Sequence, residues 1–327
     1  MKRSTLYLVS VFALTTLLVA GCKKNDGPEA DTAPVGVTNE EQAMTYFATN
    51  DEFVTNDEVT FSDKAIQSFD YGNFGKVDAG VTPLRWGRFI TSVTRTVTTT
   101  VQPGDSISVS QIAKTIVGTL KVRALTGRGD STTIDKPFTN QSLRNVIFKR
   151  VSKDTKRFWL NWVPVASSLV EGGTQAPNNT VNITKLVVTL AGGVTITVND
   201  PEQYYLRYRW LKLFTGGRKD VPEFVGGQQV KLSVTVVSAS ADTDLVALRF
   251  GFDGTHQKRA RLALTSQVTN GDGTFTRVFE VSKTTPLFMH FHQGAFNMGV
   301  EAMTKGTLFD DQAPYIVSWW GIPYRVF

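Results

Sequence analysis

From about residue 85 the chain alternates apolar and polar positions with a period of two and keeps doing so. Val93, Val97 and Val101 share one face of a threonine-rich run. Ile112, Ile116, Leu120 and Val122 share a face opposite Thr115, Thr119, Lys121 and Arg123. Successive side chains on an extended strand point to opposite faces, so this pattern predicts half-buried β-strands. Leu186, Val188 and Leu190 lead into Gly192-Gly193 and out through Val194, Ile196 and Val198, the signature of a tight hairpin. Tyr204, Leu206, Tyr208 and Trp210 alternate with Tyr205, Arg207 and Arg209. Further strand-like runs are Val230 to Val236, Val246 to Phe252, Ala260 to Leu264, Thr276 to Val281, Leu287 to Phe291, Phe296 to Ala302 and Tyr315 to Trp320. Asp253-Gly254 and Asp272-Gly273 supply turns between them.

Only Thr38 to Val54 carries a helical period. Thr38 can cap with Glu41 three residues on, and Met44, Phe47 and Ala48 fall on one face. The stretch from Thr215 to Gly227 concentrates glycine, proline and charge between strong strand patterns, which marks a boundary. The expected fold is therefore all-β: two β-sandwich domains, residues 71–215 and 220–327, after an acidic segment with a short helix at 38–70. The short strands and turn spacing of the second resemble an immunoglobulin-like or fibronectin-like module, without the cysteine pair of antibody domains.

The amino terminus has a different pattern. Lys2 and Arg3 precede an uncharged apolar run from Leu6 to Ala20, too short for a membrane-spanning helix and of signal-peptide form. It closes on Leu18-Val19-Ala20-Gly21-Cys22, and Cys22 is the only cysteine. This segment resembles the lipobox of bacterial lipoproteins. The resemblance implies cleavage of residues 1–21, acylation of Cys22 and a membrane partner held through the lipid, since two or more acyl chains hold firmly. Lys23-Lys24 after the cysteine favours the outer membrane of a bacterial cell envelope. Residues 22–37, with Gly27, Pro28 and Pro34, then read as a tether with a reach on the order of 20 Å.

With Cys22 consumed by lipid, the mature body has no thiol for a disulfide, a cysteine nucleophile or a thiolate metal site. Removing Lys2 and Arg3 lowers the formal charge from +6 to +4. Eleven acids stand against Lys64 alone over residues 25–70, whereas thirty bases stand against eighteen acids from residue 71 onward. An acidic leader thus precedes a basic body, and it either packs on a basic face of that body or both stay solvated. An anionic polysaccharide or a protein suits such a body; nucleic acid is not expected in that compartment.

Candidate chemistry is sparse. Arg144, Lys149, Arg150, Lys153, Lys156 and Arg157 adjoin Phe158, Trp159 and Trp162. Bases beside aromatics suit stacking on sugars or grasping an anionic polymer, so Arg150, Lys153, Arg157, Trp159 and Trp162 are candidate ligand contacts; the alternative is solvated bases over a core tryptophan. Trp319 and Trp320 lie in an aromatic carboxy-terminal run and point to opposite faces of a strand, so one of them is a candidate interface residue; the alternative is simple packing. His290 and His292 share a strand face and can chelate a metal ion with His256 or Asp253 nearby, or be two histidines with no ligand. Carboxylates cluster at Asp242 and Asp244 and at Asp310-Asp311, and stand singly at Asp253, Glu280 and Glu301. No nucleophile elbow, phosphate loop, dinucleotide fingerprint or His-Glu-x-x-His run occurs, so neither a cofactor nor a catalytic residue is expected. The leading expectation is a non-catalytic binding or scaffold protein of the envelope. Two others stand beside it: a fimbria-like filament subunit, given the lipoprotein start and double sandwich of such subunits in the Bacteroidota, and a carbohydrate-active enzyme with paired acids in a cleft.

Overall fold

The computed structural model describes residues 33–50, 67–68, 81–126, 130–207, 223–224, 226–250, 258–284 and 295–326. Cys22, most of the tether, the acidic stretch after residue 50, Tyr208 to Trp210, most of the Thr215–Gly227 boundary, Asp253, His256, His290 and His292 lie outside the described residues.

The body is mostly β, with two antiparallel sheets in a sandwich-like arrangement. It begins with helix α1 (Glu40–Asn50) and a short strand β1 (Gln67–Ser68). Three long strands follow: β2 (Val81–Val101), β3 (Ile107–Thr126) and β4 (Ser131–Arg150). After a 3-10 turn at Phe158–Leu160 come β5 (Trp162–Ser168), β6 (Val170–Thr174), β7 (Val181–Thr189), β8 (Thr195–Val198) and β9 (Tyr205–Arg207). The remainder comprises β10 (Glu223–Phe224), β11 (Gln229–Ser238), β12 (Leu245–Phe250), β13 (Lys258–Arg261), β14 (Ala263–Thr269), β15 (Phe275–Thr284), β16 (Ala295–Met303), helix α2 (Lys305–Phe309) and β17 (Val317–Val326).

The larger sheet runs β1-β2-β3-β4-β6-β17-β16-β12-β13, and the smaller runs β14-β15-β11-β7-β8. Strands from both sides of residue 220 share both sheets. Within the smaller sheet β11 lies between β15 and β7, and within the larger one β17 lies between β16 and β6. The chain also changes sheet within a single residue: β13 belongs to one, β14 to the other, and buried Leu262 between them donates its N–H to the Val246 carbonyl at 2.9 Å.

Three cores follow from the alternation. The sandwich core joins Leu186, Val188, Leu232, Val234, Val236 and Phe279 of the smaller sheet to Val246, Leu248, Val300, Ala302, Trp320 and Ile322 of the larger. A second core gathers Trp86, Leu120, Val122, Phe138 and Trp319 with Leu308 and Phe309 of α2. The third, and smallest, lies under α1, where Met44 and Ala48 meet Ile112, Val146, Phe148 and Trp162. The predicted hairpin is present, with Gly192 and Gly193 at φ of +88° and +83°, a region that L side chains avoid. The turn at Asp272-Gly273 is likewise present, with Gly273 at +82°.

The cap of α1 differs from the sequence expectation by one residue. Asn39, not Thr38, accepts the Gln42 N–H at 2.8 Å, and the Gln42 side chain, not that of Glu41, reaches back to the Thr38 N–H at 2.8 Å. Asparagine caps better than threonine does, which favours the register one residue on.

Candidate functional site

Among the described residues, Glu40 is the acid of the leader that pairs with a base of the body. It opens helix α1, where a carboxylate also suits the helix dipole. Its carboxylate accepts a hydrogen bond from Arg150, Nη1 to Oε1 at 2.9 Å, and the ion pair is completed by Nη2 at 2.8 Å from Oε2. Asn161 Nδ2 donates to Oε1 at 2.5 Å and Trp162 Nε1 to Oε2 at 2.7 Å. The guanidinium of Arg150 lies 4.4 Å from the centre of the Trp162 ring. A planar fork, a carboxylate and an aromatic face thus complete one another, the arrangement that favours arginine over lysine.

Asp105 closes the far side. It sits in the turn between β2 and β3 at φ of +51°, a left-handed conformation that aspartate tolerates better than most residues. Its carbonyl accepts from Arg150 Nε at 3.1 Å and its carboxylate from Nη2 at 2.7 Å. Lys153 adds an ion pair to the same carboxylate at 3.2 Å. Burial pushes the Glu40 carboxyl up, and the hydrogen bonds from Arg150, Trp162 and Asn161 outweigh it and hold it below the usual glutamate value. Hydrogen bonds from Arg150 and Lys153 lower Asp105 in the same sense.

The loop after Arg150 is ordered from within. Asp154 accepts the N–H groups of Lys156 at 2.7 Å and Arg157 at 3.2 Å, and Asn161 exchanges bonds with the Asp154 backbone. Of the five candidate ligand contacts, Arg150 and Trp162 come together around Glu40. Lys153 joins them through Asp105, while Arg157 pairs locally with Asp154 at 3.5 Å. Trp159 is half-buried, edge-on to Phe158 at 5.3 Å. Arg150, Lys153 and Arg157 are thus paired with acids of the protein itself, and Lys153, Lys156 and Arg157 stand exposed around an occupied centre.

Trp319 and Trp320 do point to opposite faces, but neither is on the surface. They are 2% and 1% exposed and fill the second core and the sandwich core, because β17 runs between β6 and β16 with a core on each side. Gly172 is what lets Trp319 lie flat against β6, since a Cβ there would overlap the indole ring.

The described acids are mostly engaged. Asp244 accepts from Arg277 Nη1 at 2.5 Å and from the Ser238 hydroxyl at 3.0 Å, all buried. Arg277 spends its other donors on Gln267 at 2.7 Å and on the Ser240 and Ala241 carbonyls at 2.8 and 3.1 Å. Glu301, 1% exposed, pairs with Arg88 at 2.8 Å, and Arg88 Nε donates to the Tyr315 hydroxyl at 2.7 Å. Burial pushes Glu301 up, and Arg88, Arg249 and Arg259 together hold it down. Glu280 pairs with Lys231 at 2.9 Å and Asp242 with Lys305 at 3.2 Å. Among the described residues, no three His, Cys, Asp or Glu side chains are grouped to hold a metal ion.

Sequence reasoning missed Glu40, Asp105 and Asn161. The charge asymmetry between leader and body was the one signal that pointed to such a contact, and it could not name the residue. No family model and no curated protein matches the chain. Among solved structures it is similar to the SMP and tandem C2 domains of extended synaptotagmin 2, at 8% identity and a TM-score of 0.13 over 73% of this chain and 90% of that one, a likeness that carries no argument.

Proposed function

We propose that this chain is a lipid-anchored protein of the bacterial cell envelope, held in the outer membrane through Cys22, with a binding or scaffold role and no catalysis. The observation that carries the reading is the run Leu18-Val19-Ala20-Gly21-Cys22 behind a basic start and an apolar stretch, with no second cysteine in the chain. The exposed Lys153, Lys156 and Arg157 beside half-buried Trp159 are the surface offered to an anionic polysaccharide or a protein partner.

Growing cells with an alkyne analogue of palmitate tests the anchor. The chain is expected to take up label and to fractionate with membranes, and Cys22→Ser is expected to lose both. An unlabelled wild-type chain in the soluble fraction would overturn the proposal.

A further inference from the structure

Among the described residues, the outer edge of β2 from Ser92 to Val101 has no partner strand. Among the described residues β2 pairs with β3 along its whole length, but on its other side only with β1, at Arg85 and Trp86. From Ser92 to Val101 its register with β3 is unbroken, bounded by a shift between Ile90 and Ser92 and by the turn after Val101. Natural sheets blunt such edges with lysine, proline, a bulge or a covering loop, because unpaired N–H and C=O groups recruit another strand. This stretch reads Ser-Val-Thr-Arg-Thr-Val-Thr-Thr-Thr-Val. It has no proline or lysine, and its one charge, Arg95, is committed to the Thr49 carbonyl of α1 at 2.6 Å.

The sequence of this edge is close to symmetric about Val97. When two antiparallel copies are aligned on that residue, Val97 meets Val97, Thr96 meets Thr98, Thr94 meets Thr100, Val93 meets Val101 and Arg95 meets Thr99. Every pair keeps valine with valine or threonine with threonine except the last, and no like charges face each other. Side-chain alternation is also preserved. Thr94, Thr96, Thr98 and Thr100, all exposed, share the outer face, and hydroxyl pairs of this kind stabilise adjacent strands. Val93 and Val101, 51% and 46% exposed, share the inner face with Thr99 and lie among the large apolar side chains that the chain leaves to water. Beside Val101 and Thr99 opens a groove of about 380 Å³ walled by Asn39, Glu40, Glu41 and Met44 of the leader. The alignment brings Val93 of the second copy to Val101 at that groove.

We infer that β2 is an interface for a second copy of this chain, joined edge to edge and antiparallel about Val97, so that the two larger sheets become continuous. Such a contact is self-complementary and closes as a two-fold dimer, unlike the open-ended strand exchange of a filament.

The register gives a direct test with full-length chains carrying Val93→Cys or Val101→Cys and a short bis-maleimide cross-linker. In the proposed dimer residue 93 faces residue 101 of the other copy and lies far from its own symmetry mate. A mixture of the two variants is therefore expected to cross-link several-fold more than either alone, above the background that the unaltered chain shows through Cys22. Adding Thr96→Lys and Thr98→Lys sets like charges opposite each other on solvent-facing positions, and is expected to abolish the cross-link while leaving the circular dichroism unchanged. Equal yields from the mixture and from each variant alone, or cross-linking that persists in the lysine variant, would overturn the proposal.

Discussion

The sandwich core and the small core beneath α1 are built on different terms. The first keeps its charges inside: Asp244 and Arg277 are both fully buried, and four donors of the Arg277 guanidinium are met by Asp244, Gln267 and two carbonyls beside an apolar core. The second has six buried side chains and is held at its rim by Glu40 and Arg150, which remain 29% and 13% exposed. Apolar burial contributes in proportion to area, so the sandwich carries the global stability. The α1 dock is a local unit whose opening costs less than unfolding the body.

Breaking the sealed pair should have the largest effect. Asp244→Ala leaves the Arg277 guanidinium buried without its carboxylate, and a loss of about 3–5 kcal/mol is expected in denaturant unfolding of the whole chain. Glu40→Ala should act more locally. It removes hydrogen bonds from Arg150, Asn161 and Trp162, and a loss of about 1.5–3 kcal/mol is expected in the protection of α1 against hydrogen exchange, with a smaller shift in the global midpoint. A global loss as large as that of Asp244→Ala would show that the two regions are one cooperative unit.

Acid should open the dock by the same route. The folded-state value of Glu40 lies below the ordinary 4.5, so its contribution is fully present above that value and is lost as the pH falls through the lowered one. Hydrogen exchange in α1 is expected to accelerate in that acidic window in the native chain and not in Glu40→Ala. The smallest effect belongs to Lys121→Ala on the open face of β3. Its pair with Asp135 spans 3.3 Å but is 43% and 53% exposed, so a change of at most about 0.5 kcal/mol is expected.

The same contrast explains how far the sequence could be read. Period-two runs located strands such as β3, β11 and β15, because half-burial imprints itself residue by residue. Gly192-Gly193 and Asp272-Gly273 declared their turns for an equally local reason. Which sheet a strand joins is not local. The run from Ala260 to Leu264 reads as one strand, yet it divides at Leu262 between two sheets. The glycine-rich stretch near residue 220 gave no sign that β11 would pair back with β7 across it. Trp319 and Trp320 left an interface and simple packing both open because a strand normally has one wet face; β17 has none, and both indoles pack. Glu40 was one of eleven acids in the leader, and its partners lie more than a hundred residues away.

The paired tryptophans of β17 carry a consequence for biosynthesis. This strand leaves the ribosome after every other described strand, and it delivers one indole to each of two separate cores. Neither core is complete until β17 is in place, so both wait on one late segment. A nascent chain stopped short of Ser318 has both hydrophobic interiors open at once and is ready prey for quality-control proteases.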